Sequence, residues 1–169
     1  GHTAHATDEE AMEETLQRLD VYGDMAKNDA ASPDIPGEKS ENERFAGALK
    51  TFTIEAMMGN GWALQSGTSH YLGQNFSKAF DIKYLDEHNK QQYAYTTSWG
   101  VSTRFVGAVI MTHGDDKGLR LPPKMAPIQV AIVPIWRKNK EREAVEAMAK
   151  DIFNRLKKAG IRVELDDRD

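Results

Sequence analysis

Apolar residues recur along this chain with two different periods, and the change between them marks out its elements. Met12, Leu16, Leu19, Tyr22 and Met25 return at helical spacing with acidic residues between them, which predicts a helix buried along one stripe. Thr7-Asp8-Glu9-Glu10 has the form of a capping box and sets its start. The helix should fade near Lys27 to Ala30. Ser32-Pro33-Asp34-Ile35-Pro36-Gly37 then combines turn formers with two prolines and reads as a loop. From Phe45 the period shortens. Thr51 to Ile54 suits a strand, Gly59-Asn60-Gly61 a turn, and Trp62 to Gln65 the start of an antiparallel return.

A short helix over Asn75 to Ala79 follows, then strands at Ile82 to Leu85 and Gln92 to Thr97 around a polar turn at Glu87 to Lys90. Phe105 to Met111 is apolar on nearly every side, which predicts a buried helix with Arg104 at its head. A guanidinium there asks for an anion, a carboxylate or an aromatic face. Gly114 to Gly118 ends the helix, and Leu121-Pro122-Pro123-Lys124-Met125-Ala126-Pro127 is too proline-rich for regular structure. Beyond it, Ile128 to Ile135 is a β-rich run. Val145, Met148, Ile152, Phe153 and Leu156 form a helical stripe closed by Gly160, and Ile161 to Leu165 suits a parallel strand. This βαβ unit is too small to cover both faces of its own sheet.

The length of 169 residues with 40% hydrophobic content suits one moderate domain, or one domain plus part of another. A net charge of −4 argues against indiscriminate polyanion binding. Local basic surface remains around Arg137, Lys138, Lys140 and Arg142, and around Lys157, Lys158 and Arg162. With no cysteine in the chain, disulfides, thiol catalysis and thiolate metal sites fall away. No apolar run approaches the ~18 residues of a membrane span, so the expectation is a soluble cytoplasmic protein with no membrane partner.

Two polar segments hold the candidate chemistry. Gln65-Ser66-Gly67-Thr68-Ser69-His70 places an amide, hydroxyls and an imidazole on one strand. Alternation sends Gln65, Gly67 and Ser69 one way and Ser66, Thr68 and His70 the other, unless a bulge forms at Gly67. Thr97-Ser98-Trp99-Gly100-Val101-Ser102-Thr103-Arg104 offers a flat ring, a bare backbone and a planar cation, suited to a small apolar ring beside a purine or phosphate. Each segment alone also reads as ordinary packing. His2 and His5 sit at a frayed start, and His70, His88 and His113 lack zinc-like spacing, so no metal ligands are assigned. Asp115-Asp116 is a helix-terminal turn, Ser69 next to His70 is no triad, and no phosphate-cradling glycine loop is present.

These runs, together with Gly1-His2-Thr3-Ala4-His5-Ala6-Thr7, Phe45-Ala46-Gly47-Ala48, Ile54-Glu55-Ala56-Met57-Met58, Leu72-Gly73-Gln74-Asn75-Phe76, His113 to Leu119 and Leu121-Pro122-Pro123, closely resemble the prolyl-tRNA synthetases, class II aminoacyl-tRNA synthetases. The resemblance implies an α+β fold: a partial antiparallel-sheet catalytic core over residues 1–120, a linker over 121–127, and the first βαβ unit of an α/β anticodon-binding domain over 128–169. It implies proline, ATP with Mg2+, and tRNA(Pro) as partners of a homodimeric parent, and no zinc site in this segment. By the same resemblance Arg104 is the motif 3 arginine, the catalytic residue, over adenine and the ATP phosphates, with Gln65, Thr68 and Ser102 lining the nucleotide site. His2, Phe45, His70, Ser98, Trp99 and Gly100 fall on the proline side.

Motif 1 and most of motif 2 should precede Gly1, and the anticodon-binding domain should extend past Asp169, so the chain is expected to be an internal piece that does not aminoacylate alone. No gap is long enough for the inserted editing domain of some bacterial members, and no hydrolysis of alanyl-tRNA is expected. The alternative is a non-catalytic synthetase-like module that binds tRNA or protein.

Overall fold

The computed structural model describes residues 1–166 and 168, so the last positions of the expected 128–169 segment, 167 and 169, lie outside the described residues. The chain divides into two compact units, Gly1–Arg120 and Leu121–Asp169. The first is built on a five-stranded sheet ordered β1-β7-β4-β3-β2. Its elements in chain order are β1 (His2–His5), α1 (Asp8–Asp24), β2 (Asp34–Glu38), β3 (Lys50–Met57), β4 (Ala63–Gly73), α2 (Asn75–Ala79), β5 (Lys83–Leu85), β6 (Gln91–Tyr93), β7 (Tyr95–Gly100), α3 (Arg104–His113), β8 (Gly114–Asp115) and β9 (Gly118–Leu119). Every pairing in the main sheet is antiparallel.

The capping box forms: Glu10 N–H donates to Thr7 Oγ1 at 3.2 Å, and Thr7 N–H donates to Glu10 Oε2 at 3.3 Å. The buried stripe of α1 keeps Leu19, with Tyr22 and Met25 packed beside the core, but in its first turns runs through Ala11 and Thr15 instead of Met12 and Leu16. Small side chains let the helix approach the sheet, where Ser69 Oγ donates to the Thr15 carbonyl at 2.8 Å. The helix runs into a π turn over Met25–Asp29, and His113 Nε2–H donates to the Ala30 carbonyl at 2.7 Å. Leu19, Ala26, Ala30, Ile54, Phe105 and Val109 form the core between these elements and one face of the sheet.

Three expectations change. Asp34–Glu38 is a strand paired along β3, not a loop; Pro36 fits because an edge strand can leave an N–H position unused. His2 and His5 are not frayed, since β1 pairs with β7 in register His2↔Ser98 to His5↔Tyr95. The Gln92 to Thr97 strand breaks at Ala94 into β6, which pairs with β5, and β7, which enters the main sheet.

The second unit holds β10 (Val130–Ile132), α4 (Asn139–Lys158) and β11 (Val163–Leu165), a parallel βαβ crossover with Val130 opposite Val163. Arg162 is exposed yet tied down: its Nε donates to the Ala126 carbonyl at 2.9 Å and its Nη2 to those of Pro123 and Lys124 at 3.0 and 2.7 Å, which fastens the proline-rich segment.

Candidate active site

One face of the main sheet lies under α1 and α3; the other is open, and strand alternation decides which side chains meet there. Thr51 of β3 lies opposite His70 of β4, and Thr53 opposite Thr68. The register then slips: Ile54 is opposite Gly67, but Glu55 is opposite Gln65. Ser66 is the extra residue of a β-bulge, and the bulge turns Gln65 onto the face that carries Thr68 and His70. Across β4 and β7, His70 is opposite Ser98 and Thr68 opposite Gly100. β1 then adds His2 beside Ser98.

Gln65, Thr68, His70, Ser98, Gly100, Ser102, Arg104 and His2 thereby line one cavity of about 330 Å³. Phe45 lines a neighbouring apolar cavity of about 400 Å³ with Leu72, Phe76 and Ile82, and this cavity shares His2 and Ser98 with the first. The Phe45 ring of the second cavity stands against the His70 ring of the first, their centroids 4.9 Å apart. Burial pushes the His70 imidazole below its ordinary value, and the charge of Lys39 adds to the shift; both favour the neutral ring.

Trp99 is turned the other way. It lies opposite Ser69, on the helix side of the sheet, and the Arg18 guanidinium sits 5.0 Å from its ring centroid. Trp99 still borders the cavity, but its ring, one residue out of phase with Ser98 and Gly100, packs on the helix side.

Arg104 differs in a second way. It is exposed, at the first position of α3, with its N–H donating to Ser102 Oγ at 3.2 Å. Among the described residues no hydrogen bond or ion pair engages its guanidinium. The helix it heads is buried only through Phe105, Ala108 and Val109, with Val106, Ile110 and Met111 at 58%, 47% and 55% exposure. An all-round apolar sequence sets no requirement that this unit alone cover every side.

The sequence reading missed Thr51, which bonds both His70 and Phe45. It also missed a groove of about 620 Å³ lined by Lys39, Glu43, Glu55 and Gln65 beside β2. Neither was legible: the register at the turn, Met57 opposite Ala63, continued unbroken would set Thr51 opposite Ser69, and the bulge at Ser66 brings His70 there instead, while the groove was hidden because β2 read as a loop. No three His, Asp or Glu side chains come together as a metal-holding group among the described residues.

The second unit has its own cavity of about 220 Å³ lined by Trp136, Arg142, Lys150 and Asp166. The Arg142 guanidinium stands 4.9 Å from the Trp136 ring centroid.

Residues 129–169 match the family model of an anticodon binding domain. The whole chain is 57% identical to a proline–tRNA ligase of Bacteroides fragilis and 58% identical to the chloroplastic/mitochondrial proline–tRNA ligase of Arabidopsis thaliana, spanning 34% and 31% of their lengths. A crystal structure of prolyl-tRNA synthetase from Cryptosporidium parvum, complexed with L-proline and AMP, superposes with a TM-score of 0.90 at 48% identity, over 99% of this chain and 36% of that one. The chain thus spans about a third of the length of the relatives it matches. Along its whole length, in sequence and in fold, the chain is similar to about a third of each of these prolyl-tRNA synthetases.

Proposed function

We propose that the open face of the sheet is part of the ATP and proline sites of a class II proline–tRNA ligase, whose full length activates proline as prolyl-adenylate and passes it to tRNA(Pro). The observation that carries this reading is the pairing of His70 with Ser98 and Thr68 with Gly100. It joins two sequence-distant polar segments into one groove that ends at a free guanidinium.

In this reading a proline carboxylate oxygen attacks the α-phosphorus of ATP and pyrophosphate leaves. Arg104 offsets the phosphate charge. As a cation at a helix N-terminus it sits against the dipole at a cost of about 0.3–1 kcal/mol, and an anion bound there satisfies both. Gln65, Thr68 and Ser102 supply polar groups to the nucleotide. Phe45, His2, His70, Ser98 and Gly100 enclose the pyrrolidine end, where selection rests on shape. Trp99 supports this wall from beneath. Mg2+ is expected to accompany the nucleotide, and the role derived for this chain's own residues runs through Arg104.

Residues 1–120 are then part of a catalytic domain, 121–127 the connection, and 128–169 the start of an anticodon-binding domain that contacts tRNA. The reading is tested by proline-dependent ATP–pyrophosphate exchange in a full-length protein carrying this chain. Arg104→Ala should lower exchange by about 10²-fold or more; unchanged exchange sinks the role. The alternative, a non-catalytic module that binds tRNA or protein, predicts no exchange before any substitution is made.

A further inference from the structure

Thr51 is only 1% exposed, yet its hydroxyl touches one residue from each of the two neighbouring cavities. The Phe45 backbone N–H donates to Thr51 Oγ1 at 3.2 Å, and Oγ1 lies 3.0 Å from His70 Nδ1. One oxygen therefore ties the segment bearing Phe45 to the imidazole that its ring stands against. The position of the hydroxyl proton follows. The Phe45 N–H can only donate, so Oγ1 accepts from it and keeps its own proton to give. A buried hydroxyl proton needs an acceptor, and among the described residues the one within reach is His70 Nδ1. A proton on Nδ1 would leave the hydroxyl without that acceptor.

We infer that Thr51 is a positioning residue that holds His70 in the single neutral tautomer with Nδ1 accepting and Nε2–H left for an oxygen of the amino-acid ligand. The inference rests on the reading of this groove as the proline site. The lowered His70 value fits it, since burial and the Lys39 charge both favour the neutral ring. Nε2 meets no hydrogen-bonding group among the described residues. His70 then offers a donor to a carboxylate or acyl oxygen and no acceptor to a protonated amine. Discrimination at His70 is thereby directed at the carboxyl end of the ligand, and the aromatic contact with Phe45 is left to select its ring.

Two-bond 1H–15N correlation spectra of the histidine-labelled chain near neutral pH read the tautomer directly. The expected result is a bare Nδ1 and a protonated Nε2 for His70, lost to a mixture in Thr51→Val and restored in Thr51→Ser. A protonated Nδ1, or an unchanged tautomer in folded Thr51→Val, overturns the inference. Should Thr51→Val not fold, the original spectrum still decides, because the inference requires Nδ1 to be bare. In a full-length protein carrying this chain, Thr51→Val should raise KM for proline about tenfold and leave KM for ATP within about twofold, with Thr51→Ser restoring it. A proline KM unmoved by His70→Ala would sink the reading of the groove while the tautomer result stood on its own.

Discussion

Gln65 lies opposite Glu55 while Gly67 lies opposite Ile54, so one step along β3 is matched by two along β4. The slip places Gln65 on the open face and leaves Gly67 on the covered one, beneath Tyr22. A Cβ built at Gly67 would stand 3.2 Å from both Tyr22 Cδ2 and Val101 Cγ2, and 3.5 Å from Ile54 Cγ1. These contacts leave no space for a branched side chain. Gly67→Val should destabilise the fold by about 1–3 kcal/mol, the usual cost of overpacking, measured as a lower Tm. An unchanged Tm would show that α1 does not press on the bulge.

His70 makes stability depend on pH. Burial, and then the positive charge of Lys39, lower its pKa below the ordinary 6.5, so near that value the folded chain binds fewer protons than the unfolded one. Stability therefore rises with pH in this window. The contribution is fully present above the unfolded value and is lost as pH falls through the lower folded one. Lowering the pH from about 7.5 to about 5 should reduce Tm, and His70→Gln should flatten that decline relative to the original chain. Equal slopes in the two chains would contradict a half-buried imidazole with a lowered pKa.

Much of the fold was legible because its signals are local. Thr7 and Glu10 announce a helix start, Gly59 to Gly61 a hairpin, and the apolar periods on either side of Gly160 a βαβ unit. What was not legible depends on neighbours that a single segment does not reveal. β2 becomes a strand through pairing with β3, against the turn-forming character of Pro33, Pro36 and Gly37. The buried stripe of α1 runs through Ala11 and Thr15, because closeness to the sheet outweighs side-chain size there. The polar segments of the site stood out, yet their phase did not: the bulge at Ser66 moves Gln65 onto the open face, and Trp99 faces Arg18 because it is one residue off from Ser98. Thr51 gave no signal of its own, since a threonine in a strand is ordinary until His70 is placed beside it.

The central claim is that one groove has a nucleotide end at Arg104 and an amino-acid end at Phe45 and His70. The most direct test is a crossed measurement of KM in ATP–pyrophosphate exchange by a full-length protein carrying this chain. Arg104→Lys should raise KM for ATP about tenfold or more and leave KM for proline within about twofold, and His70→Ala should do the reverse. If both substitutions shift the two constants equally, or neither shifts any, the division of the groove is contradicted.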